Sequence, residues 1–435
     1  MAISEPARTA PPSRTGRIAL RSAYGAGHFA KSLAWSFTDL LLAYYANVRL
    51  GLSAGDTGLL IFLSAVQGAL ADVGAASLMR RAEGDLGRIL ALQFVAGLAA
   101  AAALLVMFRP AHGGEVAFVC LVGALALFRT LFAFYDVAQN ALVSLLPRDP
   151  EDAHHYAVMR QTLSGVARLA VAGLAFLLVG TDAPAGGREI VVAGVIAALI
   201  AASAGWLLRW RGALPMAALV GRRRSMPTGL ATLLVAGAAL AGPEAMTMRL
   251  VPFVEGRGPD EPAGAALLFA LVLGSVIGPL GLPRPDRGVM RPALAFTALA
   301  VLAGVVFLAA PHAGVLALAA CLAHGVGFGG MMALFWREMG AAIRDHALRT
   351  GVRTDMISFA LLTATIKLAG ALSGVGLAFL LDGFKAGTPT TMAALAAIIA
   401  VGGLVFLLTI APGYRFGISS SGLRRATPPP GSRTT

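Results

Sequence analysis

Charge is scarce in this sequence. Of its 435 residues 13% are Asp, Glu, Lys or Arg and 57% are hydrophobic, whereas a soluble globular chain carries roughly 25% charged residues. So apolar a chain needs lipid around it, which excludes a soluble enzyme. Cysteine is nearly missing too. Cys120 and Cys321 each lie within an apolar run, as small buried side chains rather than a disulfide or a metal site. The phosphate loop G-x-x-x-x-G-K-S/T, the G-x-S-x-G elbow and the H-E-x-x-H pair do not occur, which argues against an ATP-driven pump and against hydrolase or zinc chemistry. The reading is a non-enzyme without a cofactor, driven by an ion gradient or by the gradient of its solute.

A surplus of basic residues is present, with a net charge of +13, but no basic helix face interleaved with aromatics accompanies it, so nucleic acid is not the expected partner. The arginines instead cluster between apolar runs. These runs fall at 20–47, 56–80, 88–108, 115–146, 157–180, 188–208, 229–254, 263–282, 290–310, 314–336, 355–382 and 389–411, each long enough to cross the roughly 30 Å of a bilayer as a helix. Arg14, Arg17, Arg80, Arg81, Arg88, Arg148, Arg222, Arg223, Arg224, Arg344, Arg349 and Arg353 fall on one side of this topology. Little more than Arg49, Arg109, Arg188, Arg257 and Lys385 lies on the other. The asymmetry places both termini in the cytoplasm, in an inner membrane. Residues 1–17, rich in Pro, Ser, Thr and Arg, are expected to be a disordered cytoplasmic start with no cleavable signal. Residues 18–208 form one six-helix half, 209–227 a basic cytoplasmic linker, 228–411 a second half and 412–435 a cytoplasmic tail. A repeat supports the seam: GLAFLLVG at Gly173 to Gly180 and GLAFLLDG at Gly376 to Gly383 each close the fifth span of a half.

Ionisable side chains inside these spans each cost on the order of 2.5–3.5 kcal/mol and so ask for a partner. They are Lys31, Asp39, Asp72, Arg129, Asp136, Arg160, Arg168, Glu244, Arg249, His324 and Lys367. Several have a purely structural alternative. Asp72 is close enough to Arg80 and Arg81 to be a helix-end residue, Asp136 stands seven residues after Arg129 on one helix face, and Lys31 or Lys367 is able to snorkel. Arg168 and Glu244 show no spacing signature. His324, in HGVGFGGMM, reads as a packed or pore-facing residue without a second ligand at helical spacing.

Four stretches resemble one family. YGAGHFAKSLAW from Tyr24, continuing to Asp72, is similar to the start of the glycoside–pentoside–hexuronide:cation symporters, the melibiose permease group of the major facilitator superfamily. FYDVAQNAL at Phe134 to Leu142, MRQTLSG around Arg160, and RTGVR at Arg349 to Arg353 with TATIKLAGALSG around Lys367 resemble that family's fourth-helix, fifth-helix and eleventh-helix motifs. The resemblance implies an all-α membrane protein of about twelve helices in two pseudo-symmetric six-helix bundles. It also implies secondary transport of a small polar solute with a coupling cation, H+ or Na+, in the lipid bilayer. Carried over by position, Asp72 and Ser32 stand at the cation site and Lys31, Asp136, Arg160 and Lys367 at the solute site.

Departures qualify this. Ser32 replaces a first-helix acid, Gly68 the first acid of a second-helix pair, and Asn140 stands where a sugar-stacking aromatic can occur. Loss of two carboxylates beside a retained lysine weakens a sodium site and points to a proton on Asp72. Alternatives are a lysolipid or amphiphile carrier of the same superfamily, with an apolar cavity face, and a receptor or assembly protein that has kept the fold without transport.

Overall fold

The computed structural model describes residues 13–46, 50–108, 115–179, 187–212, 225–251, 253, 262–312 and 314–413. Among these residues the chain forms twelve α-helices and no strand: α1 (Arg14–Tyr44), α2 (Ala54–Met79), α3 (Leu86–Met107), α4 (Glu115–Leu145), α5 (Pro150–Val179), α6 (Gly187–Leu208), α7 (Leu230–Leu250), α8 (Pro262–Ile277), α9 (Met290–Ala309), α10 (Val315–Thr350), α11 (Asp355–Lys385) and α12 (Pro389–Gly413). Ten of them are long and apolar enough to cross a membrane. The other two, α1 and α5, are long enough but carry Lys31, Ser32, Arg160 and Arg168 in their middles.

Local chemistry sets the helix ends. Ser13 and Ser53 accept from the backbone N–H groups of Gly16 and Asp56, and Asp85 accepts from Arg88 N–H, satisfying donors that a first turn leaves free. Gly351 ends α10 in the left-handed region with φ of 68°, a geometry that costs glycine nothing. Three boundaries differ from expectation. α1 begins at Arg14, so residues 14–17 are helical rather than disordered, because Ser13 caps the turn. α5 begins at Pro150, whose missing N–H is no loss at a first helical position, with Asp149 accepting from Asp152 N–H. α10 continues to Thr350 instead of stopping at 336, so Arg344, His346 and Arg349 are helical and not a loop. The expected terminus before residue 13, most of the linker, the tail beyond Gly413 and Gly180 of the repeat lie outside the described residues.

Short connections bring the starts of α1, α5, α7 and α11 and the ends of α2, α4 and α10 to one end, which carries the arginine-rich connections. At this basic end the two halves share one core. Leu20, Tyr24, Met79, Leu142 and Tyr156 of the first half pack in the same cluster as Leu230, Phe335, Trp336, Met356 and Phe359 of the second. Toward the opposite end the cores separate. Phe37, Phe108, Phe128 and Ile200 belong to a cluster of the first half, and Leu250, Phe307, Phe384 and Ile399 to one of the second. The molecule is thus joined at its basic end and divided into halves at the other, with α2 on α11 and α5 on α8 and α10 as the main cross-half packing.

Within the second half, α8 and α10 pack almost backbone to backbone. Gly274 of α8 and Gly278, in the 3-10 turn that follows it, face the backbone of Leu322, Gly325 and Val326 of α10, and Gly325 and Gly329 of α10 face Leu271 and Ser275 of α8. Small residues four apart on both partners let the helices approach where lipid offers no hydrophobic drive to associate. The glycine-rich stretch after His324 is therefore a packing ridge. His324 itself is packed, its Nδ1 2.7 Å from Ala300 O.

Candidate functional site

Six charged side chains from five helices meet midway along the bundle. Lys31 of α1 places Nζ 2.8 Å from Asp136 Oδ1 and donates at 2.8 Å to Asn140 Oδ1, both on α4. Asn140 donates back to Asp136 Oδ1 at 2.9 Å, a bond its position four residues later on one helix face makes possible. Arg160 of α5 donates to Asn140 Oδ1 at 3.2 Å and lays its guanidinium 3.2 Å from the centre of the Trp336 ring on α10. Lys367 of α11 crosses to the first half, 2.6 Å from Asp72 Oδ2 on α2 and 3.7 Å from Asp136 Oδ2. Arg129 of α4 donates to Ser64 Oγ at 2.9 Å and sits 4.2 Å from the Trp35 ring. All six are at most 8% exposed, and Asp72 is fully buried.

Five of the six sequence-derived site residues, namely Lys31, Asp72, Asp136, Arg160 and Lys367, fall in this single network. Neither lysine snorkels, Asp72 turns to α11 rather than to Arg80, and Asp136 takes the two lysines rather than Arg129 as its ion-pair partners. The sixth, Ser32, has its hydroxyl 3.2 Å from Ser164 Oγ, in a group with His28, while Asp72 takes Lys367, so the two do not share a bonding partner. Asp39, expected inside the first span, is exposed. Arg168 and Glu244, which have no spacing signature, pair across the halves at 2.6 Å.

Asn140, Trp336 and Trp35 are central, and sequence reasoning did not propose them for the site. Only Asn140 carried a signal, being one helical turn beyond Asp136. A separate, small apolar cavity of about 20 Å³ lies inside the second half, between Leu250, Leu271, Phe307, Cys321, His324 and Phe384, and its lining includes none of the network.

The basic end is latched by polar contacts between the halves. Glu83, just after α2, accepts from Met356 N–H in the first turn of α11 at 3.1 Å, where the helix dipole favours a carboxylate. Ser144 of α4 donates to Asp355. Burial, and after it the nearby Asp355 carboxylate, push the Glu83 carboxyl up to about 7. A carboxyl raised on folding binds its proton more tightly in the folded protein, so its stabilisation is complete below the ordinary glutamate value of 4.5 and lost as pH rises through about 7. Glu83→Gln should therefore flatten the fall of Tm across that window and raise Tm above it. An unchanged Tm profile would remove Glu83 from the latch.

The architecture is that of the major facilitator superfamily. A bacterial homologue of the iron transporter ferroportin in an outward-facing state matches with a TM-score of 0.65 at 12% identity, over 90% of this chain and 99% of that one. The Escherichia coli fucose:proton symporter FucP matches with a TM-score of 0.62 at 13% identity, over 91% of this chain and 99% of that one. Within that fold, residues 23–211 match the family described as MFS/sugar transport protein. The putative glycoside/cation symporter YagG of Escherichia coli strain K12 is 27% identical over 159 residues, 36% of this chain and 34% of that protein. This match thus spans about a third of the length of the curated relative.

Proposed function

We propose that this chain is a secondary transporter that carries a small polar solute, of the sugar or glycoside class, together with a proton by alternating access. The observation that carries the reading is the Lys367–Asp72 bond, a fully buried contact between α11 of one half and α2 of the other. Lys367 Nζ occupies the position beside Asp72 that a sodium ion would need, while Asp72 Oδ1 has no partner. A proton arriving on Asp72 dissolves the ion pair, and Lys367 has Asp136 within reach at 3.7 Å. Coupling then follows, because the proton that neutralises Asp72 also releases a tie between the halves.

Halves joined at the basic end and separate at the other support an outward-facing member of such a cycle, with Arg168–Glu244 as a further tie beyond the network. The charged lining favours a polar solute over an amphiphile. The arginine-bearing end and both termini belong on the cytoplasmic face of the inner membrane.

Proteoliposomes loaded for uphill uptake test the assignment. Asp72→Asn keeps the shape but not the titrating charge, so it should abolish proton-driven accumulation while leaving solute binding and counterflow. Asp136→Asn, which strips Lys31 of its carboxylate, should weaken binding itself. Full accumulation by Asp72→Asn would refute the coupling role.

A further inference from the structure

The central network is unbalanced in charge. Lys31, Arg129, Arg160 and Lys367 are four cations, all buried, against the buried carboxylates Asp72 and Asp136. Each lysine has a carboxylate within 2.8 Å, but among the described residues neither arginine has one within ion-pair distance. Counting the exposed Asp39, whose field reaches Arg129, still leaves cations in excess. Arg129 finds a substitute in the Trp35 ring and Ser64. Arg160 is less well served: its Nη2 reaches one neutral amide oxygen and its face lies on Trp336, while its Nε is buried without a partner.

Two further donors at this place are also buried and unpartnered. They are the hydroxyl of Tyr24, which lies within the field of Arg160, and the indole Nε1 of Trp336. Tyr24 comes from α1, Arg160 from α5 and Trp336 from α10, so both halves contribute. Buried donors left unbonded are costly, more so when charged, and they persist where something else satisfies them. A guanidinium N–H, an indole N–H and a phenol O–H are three unmet donors against the one free acceptor among them, the Tyr24 oxygen, and they call for an acceptor-rich anion; an arginine fork suits a carboxylate or phosphate in particular.

We infer that the transported solute carries an oxyanion, a carboxylate or a phosphate, which seats on Arg160 with Tyr24 and Trp336 at the meeting of the two halves. This rests on the transport reading above and sharpens its substrate class. A bound monoanion, with its proton on Asp72, enters as a neutral sum.

Purified full-length protein in nanodiscs tests the seat, by thermal shift and by counterflow. The probes are gluconate, glucose 6-phosphate and inorganic phosphate, each compared with neutral glucose, so that carboxylate, phosphate ester and free phosphate are separated. The expected result is stabilisation by at least one of the anions and not by glucose, weakened at least tenfold in Arg160→Gln. Tyr24→Phe, which removes one hydroxyl and little volume, should weaken the same anion less severely and serves if Arg160→Gln does not fold. Equal stabilisation by glucose, equal anion binding by both variants, or silence to every anion overturns the inference. Glucose counterflow without anion counterflow leaves the transporter reading standing and sinks only the anion seat, whereas counterflow of no solute at all counts against both.

Discussion

Lys367→Ala should be among the most damaging single substitutions in the molecule, with a loss of about 3–5 kcal/mol of stability, the range for removing one partner of a buried ion pair. Asp72 is fully buried and its Oδ2 takes the lysine at 2.6 Å, while its Oδ1 has no partner. Removing the ammonium leaves a fully buried carboxylate without its cation, in the middle of the bundle. The same change strips Asp136 of its second cation and leaves the Trp35 ring, 4.9 Å from Nζ, with Arg129 alone. A double change that also makes Asp72→Asn removes the stranded charge, so it should recover most of the loss. Unfolding in detergent micelles of the two single variants and the double gives the coupling directly. If Lys367→Ala and the double variant unfold together, the lysine is not what keeps Asp72 tolerable, and the bond cannot be the tie that a proton releases.

Most of the helices were legible because lipid enforces a length of apolar sequence on each of them. Where the chain leaves the membrane that constraint lapses, which is why α10 runs to Thr350 through Arg337, Arg344 and Arg349 although its apolar run stops near 336. The charged site residues were legible for a related reason, since a lysine or aspartate in such a span is too costly to be incidental. Their partners were not. Lys367 and Asp72 are 295 residues apart in sequence, and nothing local shows that α11 and α2 will face each other. Trp336 and Tyr24 escaped because an aromatic in an apolar span costs nothing to place, so its polar edge gives no signal until the arginine beside it is seen. The resemblance to sugar symporters directed attention to Ser32 by position, but the folded chain gives that hydroxyl to Ser164.

The glycines after His324 were legible as composition but not as a purpose, and their packing sets a second large effect. A Cβ added at Gly325 would lie within 3.0 Å of the backbone of Leu271 and Ser275, and one at Gly274 or Gly278 would strike the α10 backbone in the same way. No rotamer relieves a clash between Cβ and a main-chain carbonyl, so α8 and α10 must move apart. Overpacking of this kind costs about 1–3 kcal/mol or more. Without a hydrophobic drive between helices in lipid, little opposes the separation. Gly325→Ala should therefore unfold the second half at markedly lower temperature. Because α10 also carries Trp336, it should disturb the contact with Arg160 and so weaken solute binding even where the protein still folds. Gly123 of α4 supplies the contrast: a Cβ there meets nothing within 4 Å, and Gly123→Ala should be neutral or gain up to about 1 kcal/mol from the better helix former. Melting curves of the two variants in the same detergent decide the matter. A Gly325→Ala protein as stable as Gly123→Ala would mean that the close approach of α8 and α10 is not needed for the fold.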